Sequence, residues 1–184
     1  AYLKGCNMAD NNGAREQAIA QLRSITEMVA ALGCDFDRLE EPRSSEADNR
    51  AIVAAYVEKM DDWQANANAA EELEELAELV AAAGEAESTD DARERIEEDA
   101  LSVEVRSDWH RPGDTCEPAE FCILLCTGGP AVRIVGDLDR GQPSRPRLQY
   151  QDWFTPWTDL ILTADDGIDD DALQAYCECF YFGE

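Results

Sequence analysis

Positive charge is scarce in this chain. Two lysines (Lys4 and Lys59) and thirteen arginines stand against 41 acids, and no lysine or arginine follows Arg147. The formal net charge is -26 over 184 residues. Such a balance repels nucleic acid and anionic membrane, both polyanions, and attracts basic proteins and cations. Direct nucleic-acid binding and membrane binding are therefore not expected. Long apolar runs are missing too: nothing approaches the roughly 18 residues of a membrane span. The start, Ala1-Tyr-Leu-Lys-Gly-Cys6, lacks the apolar stretch of a signal peptide. Met8-Ala-Asp10 reads as a natural beginning, with residues 1–7 a remnant or an upstream start.

Catalytic vocabulary is equally thin. His110 is the single histidine, so any Ser-His-Asp or Cys-His arrangement has to use it. It sits in Trp109-His-Arg-Pro-Gly113, which reads as a surface loop without catalytic duty. No glycine-rich phosphate loop follows a strand. The seven cysteines, an odd number with no signal peptide, suggest free thiols in a reducing cytoplasm. Cys122 and Cys126 share a face on a strand, whereas Cys177 and Cys179 on a helix point about 200° apart. Neither pair has the spacing of a zinc knuckle, and buried small thiols are the better reading. Asp165-Asp-Gly-Ile-Asp-Asp-Asp171 lacks the alternating ligands and terminal Glu of a calcium loop. Its last three aspartates suit the positive end of a helix. No catalytic residue, metal ligand or cofactor is expected.

What the chain does have is enough apolar residue, 45%, for a real core. Its charge is also unevenly placed. Residues 61–99 hold fifteen acids and two bases, and residues 150–184 hold nine acids and no base. Residues 1–60 and 100–149 are close to neutral, at net -3 and -1. A bias toward solubility would spread acids more evenly.

Ile19, Leu22, Ile25, Val29 and Leu32 recur at helical spacing, predicting a helix over 14–32 stopped by Gly33. After a break at Pro42 a second helical pattern starts near Glu46. It carries Ile52, Tyr56, Met60 and Trp63, then Leu73, Leu76, Val80 and Ala83, and ends at Gly84. Thr89, a candidate cap, opens a short helix through Glu98. Period two then takes over, predicting strands at 101–105, 121–126, 131–135 and 147–153. Residues 169–179 read as a short helix, and Phe180–Phe182 as a last edge strand. The expected fold is α+β: an N-terminal helical hairpin or small bundle, then a four- to five-stranded antiparallel sheet with a C-terminal covering helix. The expected regions are an acidic helical one at 8–86 and an α+β one at 87–184.

Four stretches carry a resemblance: Leu101–Trp109, Glu120–Ile134, Tyr150–Trp157 and Cys179–Glu184. Over roughly its last half the chain resembles a family of acidic proteins carried by bacteriophages and mobile elements of GC-rich bacteria. That resemblance implies an inhibitor of host defence, anti-CRISPR or anti-restriction, acting in the host bacterial cytoplasm. Many such inhibitors mimic DNA, which implies a partner that is a basic nucleic-acid-binding complex, a CRISPR effector or a restriction enzyme.

The candidate partner-binding residues follow the acids. On a helix, Glu71, Glu75 and Glu78 fall on one side, flanked by Glu72 and Glu74, opposite Leu73, Leu76 and Val80. Four helical residues rise about 6 Å, against a phosphate every 3.4 Å or so along a DNA strand. Asp61, Asp62, Asp165, Asp166, Asp169, Asp170 and Asp171 extend the set. Trp153 and Trp157 form an aromatic group that reads either as core packing or as a partner anchor. Two alternatives stand beside mimicry: an interaction module binding through the sheet and its tryptophans, and a carboxylate-based metal-dependent hydrolase.

Overall fold

The structure, a computed structural model, describes residues 12–40 and 67–183, with side chains over 13–39 and 74–183. The helical pattern of 46–66, with Asp61 and Asp62, lies outside the described residues, as do the side chains of Glu71 and Glu72. The described elements, in order, are α1 (Asn12–Leu32), α2 (Phe36–Glu40), α3 (Ala67–Ala83), α4 (Thr89–Asp99), β1 (Ser102–Ser107), β2 (Pro118–Cys126), β3 (Ala131–Asp139), β4 (Gln142–Gln151), β5 (Thr158–Asp159) and α5 (Ala172–Cys177). A 3-10 turn, Ala164–Asp166, precedes α5. The fold is α+β: helices, a five-stranded antiparallel sheet, and a short C-terminal helix.

The chain divides into two compact units. One runs to Thr26 and resumes at Ile96; the other is Glu27–Arg95. The cuts fall inside α1 and inside α4.

In the first unit the sheet is a simple meander, β1-β2-β3-β4-β5, each strand antiparallel to the next. Alternation decides its two faces. Ile123 pairs with Ile134, and Ile134 with Leu148, and all three are buried. Phe121, Leu125, Val132 and Tyr150 complete this inner face. Ala18, Leu22 and Ile25 of α1, Ile96 of α4, and Leu173 and Tyr176 of α5 are buried in the same unit. The opposite face alternates out to Glu104, Cys122, Arg133, Arg147 and Gln149, all half-buried or exposed.

Two strands differ from expectation. Phe180–Phe182 is not a strand: Phe182 turns inward and its ring meets that of Phe121 at 4.8 Å between centroids. A buried aromatic contact outweighs strand propensity in a run too short to form a ladder. The fifth strand is instead Thr158–Asp159, pairing with Tyr150 and Gln149. Trp153, expected at the end of a strand, lies in the turn between β4 and β5. Pro143, Pro146 and Arg145, whose φ is 51°, do not stop β4, which begins at Gln142.

Gly136 sits where the β3 register shifts between Val135 and Asp137. The Phe121 ring lies across it: a Cβ there would fall 2.6 Å from the ring and 2.9 Å from the Ser144 carbonyl. The glycine is what lets Phe121 lie flat in the core.

Among the described residues the second unit has two small apolar clusters. Cys34 and Leu39 meet Leu76 and Ala83 of α3, with Phe36, Leu79 and Val80 around them. Ala31, Ala86 and Ala92 form the other. The cap of α4 is Ser88 rather than Thr89. Ser88 Oγ accepts the Asp91 N–H at 3.1 Å, and Asp91 in return accepts the Glu87 N–H at 2.9 Å. One orphan amide of the helix end is satisfied, and the residue before the cap is tied back to the first turn.

Gly136→Ala should destabilise the protein by about 1–3 kcal/mol through overpacking against Phe121, read as a lowered midpoint in urea denaturation. Combining it with Phe121→Leu should recover part of the loss.

Candidate functional site

The acids seen in the sequence divide by what they touch. In the second unit, α3 contains five glutamates and no base in its seventeen residues. Leu76 and Ala83 anchor one side of it, and Glu74, Glu75 and Glu78 are exposed. Glu75 pairs with Arg38 of α2, 2.5 Å apart, and both side chains stay about half exposed. A pair of that kind in solvent contributes little to stability. Glu85, Glu87, Asp90 and Glu94 in the same unit are also exposed. Arg95 reaches back to Asp91 (3.1 Å) and Glu85 (3.2 Å). Asp90 and Glu94 carry no sequence signal of a separate patch, because α4 holds its bases, Arg93 and Arg95, among its acids.

In the first unit Asp165, Asp169, Asp170 and Asp171 are exposed. Asp166 is not: its side chain keeps 8% of its exposure. Its carboxylate takes both Arg15 amino groups, at 2.9 and 2.6 Å, and the Thr163 amide and hydroxyl at 2.7 and 2.9 Å. Arg15 also donates to the Ile161 carbonyl at 3.1 Å. The Arg15 guanidinium, and then the Thr163 amide, hold the Asp166 carboxyl well below the usual carboxylate range. Asp166 is thus a clamp tying α1 to the segment before α5, and its charge is spent internally. Exposed Glu97 and Glu98 belong to this unit as well.

The two tryptophans part company. Trp157 lies under the Arg133 guanidinium, 4.1 Å from its ring centroid, while Arg133 Nε donates to Gln149 at 2.9 Å. It is a half-buried brace on the outer face of the sheet. Trp153 pairs instead with Phe154, centroids 6.2 Å apart, and lies over Gly129, where a Cβ would come within 2.0 Å of its Nε1. Trp153 keeps 64% of its exposure, and Phe154 is fully exposed with φ at 63°. A bulky residue rarely adopts that left-handed conformation. Asp152 and Thr155 hold the turn: Thr155 Oγ1 accepts the Asp152 amide (3.1 Å) and donates to its carbonyl (2.9 Å). Asp152 Oδ1 accepts the Trp153 amide at 2.7 Å. With the Thr127–Gly129 turn the two aromatics border a concavity of about 290 Å³. Phe154 carries no sequence signal for this role, since only backbone geometry turns it outward. Trp109, also fully exposed, lies in the loop that follows β1.

His110 is exposed, and its Nδ1 donates to the Asp108 carbonyl at 3.0 Å. The cysteine pairs stand apart: Cys122 and Cys126 on the outer face, Cys177 and Cys179 buried. Burial raises the thiol pKa of Cys122, Cys126 and Cys177 above the ordinary value, which disfavours the thiolate that metals require. Among the described residues no cluster of His, Cys, Asp and Glu could hold a metal ion, and no helix is long and apolar enough to cross a membrane.

Compared with known protein families, curated proteins and solved structures, the chain matches none.

Two outcomes test this geometry. Asp166→Asn should lower the urea midpoint at neutral pH. A depressed folded pKa adds stability above the ordinary aspartate value, about 4, and the gain disappears as pH falls through the folded value. The gap between native protein and variant should therefore close in strong acid; a gap independent of pH would refute the clamp. In thiol labelling of the native fold, exposed Cys116 should react at once. Cys34, Cys177 and Cys179 should react only on unfolding.

Proposed function

We infer that the protein is an acidic DNA mimic that binds the basic nucleic-acid-binding surface of a bacterial defence complex, of the CRISPR or restriction type, in the host cytoplasm. The observation that carries this reading is α3. Its outward glutamates stand on a helix without a single base, and its apolar side is packed. A packed helix presents charge in a fixed array and meets a basic groove with little ordering cost. Like charges four residues apart, as at Glu74 and Glu78, cost a few tenths of a kcal/mol per pair, and the sequence retains several. Asp165 and Asp169–Asp171 offer a second acidic element in the other unit, without Asp166, which Arg15 occupies. On this reading the protein binds and blocks, and turns nothing over.

A second reading has an observation of its own. The exposed Trp153–Phe154 turn, rigidly held and strained at Phe154, is the kind of aromatic anchor found at binding hot spots. The acids would then serve solubility.

One experiment separates them. Binding to purified CRISPR effector and restriction complexes is measured in competition with duplex DNA. Mimicry requires that DNA and this protein exclude each other and that affinity falls steeply between about 50 and 200 mM salt. The double variant Glu74→Lys, Glu78→Lys should then weaken binding about tenfold or more. A target that holds DNA and this protein together sinks mimicry. Loss of binding in Trp153→Ala, Phe154→Ala with the charge reversal silent selects the second reading.

A further inference from the structure

The sheet has two edges of different kinds. β5 offers only Thr158 and Asp159, too short to template another strand. β1 offers six residues, Ser102–Ser107, bonded on one side to β2 and, among the described residues, to no strand on the other. An edge of that length is a standing invitation to pair, normally blunted by lysine, proline or an inward-pointing charge. β1 has no lysine or proline, its register shift against β2 comes only at its end, between Arg106 and Ser107, and its inward residues are Val103 and Val105, which pair with buried Ile123 and Phe121. The inner face remains apolar across β1, but its cover runs out there. Val103 keeps 39% of its exposure and Val105 44%, while Phe121 and Ile123 keep 3% and 0%. Leu101, just before the strand, is exposed as well.

The occupant that fits this edge is the edge itself. Two antiparallel copies in one continuous sheet are related by a two-fold axis normal to it. Facing residues then lie on the same side, so the axis must pass through a residue position. An axis at Glu104 or at Arg106 sets like charges against each other. An axis at Val103 gives no ion pair. An axis at Val105 sets Val105 against its copy, Val103 against Ser107, and Glu104 against Arg106 twice over. Opposite charges directly across a ladder stabilise it, and valines meeting at the axis bury the stripe that α1 and α5 leave open. Arg106 already bonds Glu120 through Nε (2.7 Å) and one amino group, and its guanidinium has a further amino group to give. The remaining obstacle is the mutual repulsion of two chains of -26. It is least here, because residues 100–149 are almost neutral.

We propose that β1 is a homodimer interface, pairing antiparallel with a second copy about an axis through Val105 and joining two five-stranded sheets into one. The interface is independent of what the acidic surfaces bind.

Sedimentation of the native chain should show reversible monomer–dimer exchange over micromolar to sub-millimolar concentrations. Glu104→Arg and Arg106→Glu should each weaken self-association tenfold or more, because each sets like charges opposite one another twice. An equimolar mixture of the two variants should restore association to near the native level, since each supplies the charge the other lacks. Both side chains are largely exposed, and circular dichroism checks that each variant keeps its fold. A native chain monomeric throughout overturns the proposal, as does a mixture that associates no better than its components. Undiminished dimerisation of either variant alone also overturns it.

Discussion

Carboxylates at this density repel one another, and a chain of net charge -26 folds only if its apolar groups are gathered where no acid intrudes. The arrangement of both units follows from how that separation is achieved. In the first unit the period-two alternation of β2, β3 and β4 sends Phe121, Ile123, Ile134 and Leu148 to one face and the polar residues to the other. In the second unit the helical period does the same for Leu76 and Ala83 against Glu74, Glu75 and Glu78. The few bases then relieve repulsion where the chain closes on itself. Arg15 on Asp166 does this most fully, because its partner is nearly excluded from solvent. Arg38 on Glu75 and Arg147 on Asp159 do it in the open, where water screens most of the gain.

Separation on this scale leaves surfaces of distinct character. The helix α3 is acidic with no base of its own, and Arg38 of α2 meets only Glu75 on it. The turn carrying Trp153 and Phe154 is apolar and held by a network around Asp152 and Thr155. The β1 edge is close to neutral, with an apolar stripe on one face and alternating charges on the other. Each would select a different chemistry in a partner: a basic groove, an apolar pocket, or another strand. Salt weakens the first contact most and the apolar contact least.

Much of this was legible in the residues. The helix over 14–32, the strands around 121–126 and 131–135 and the concentration of acids in two segments all come from local periodicity and counting, which need no knowledge of contacts. The errors also have physical causes. Phe180–Phe182 has strand propensity, yet Phe182 finds the Phe121 ring, a partner about sixty residues away in the chain. Asp166 is indistinguishable by composition from Asp165, and only the arrival of Arg15 from α1 makes one a buried clamp and the other a surface charge. Trp153 and Trp157 look alike in sequence, but Arg133 covers one and Gly129 seats the other.

The sequence by itself determined the class of fold, the alternation that builds the sheet, and the amount and rough location of negative charge. These are properties of neighbours in the chain, set by helical and strand periods. Only the tertiary structure decided which carboxylates remain free, which aromatics reach solvent and which edge of the sheet stays open. Those outcomes depend on residues far apart in sequence meeting in space, and no local period encodes such a meeting.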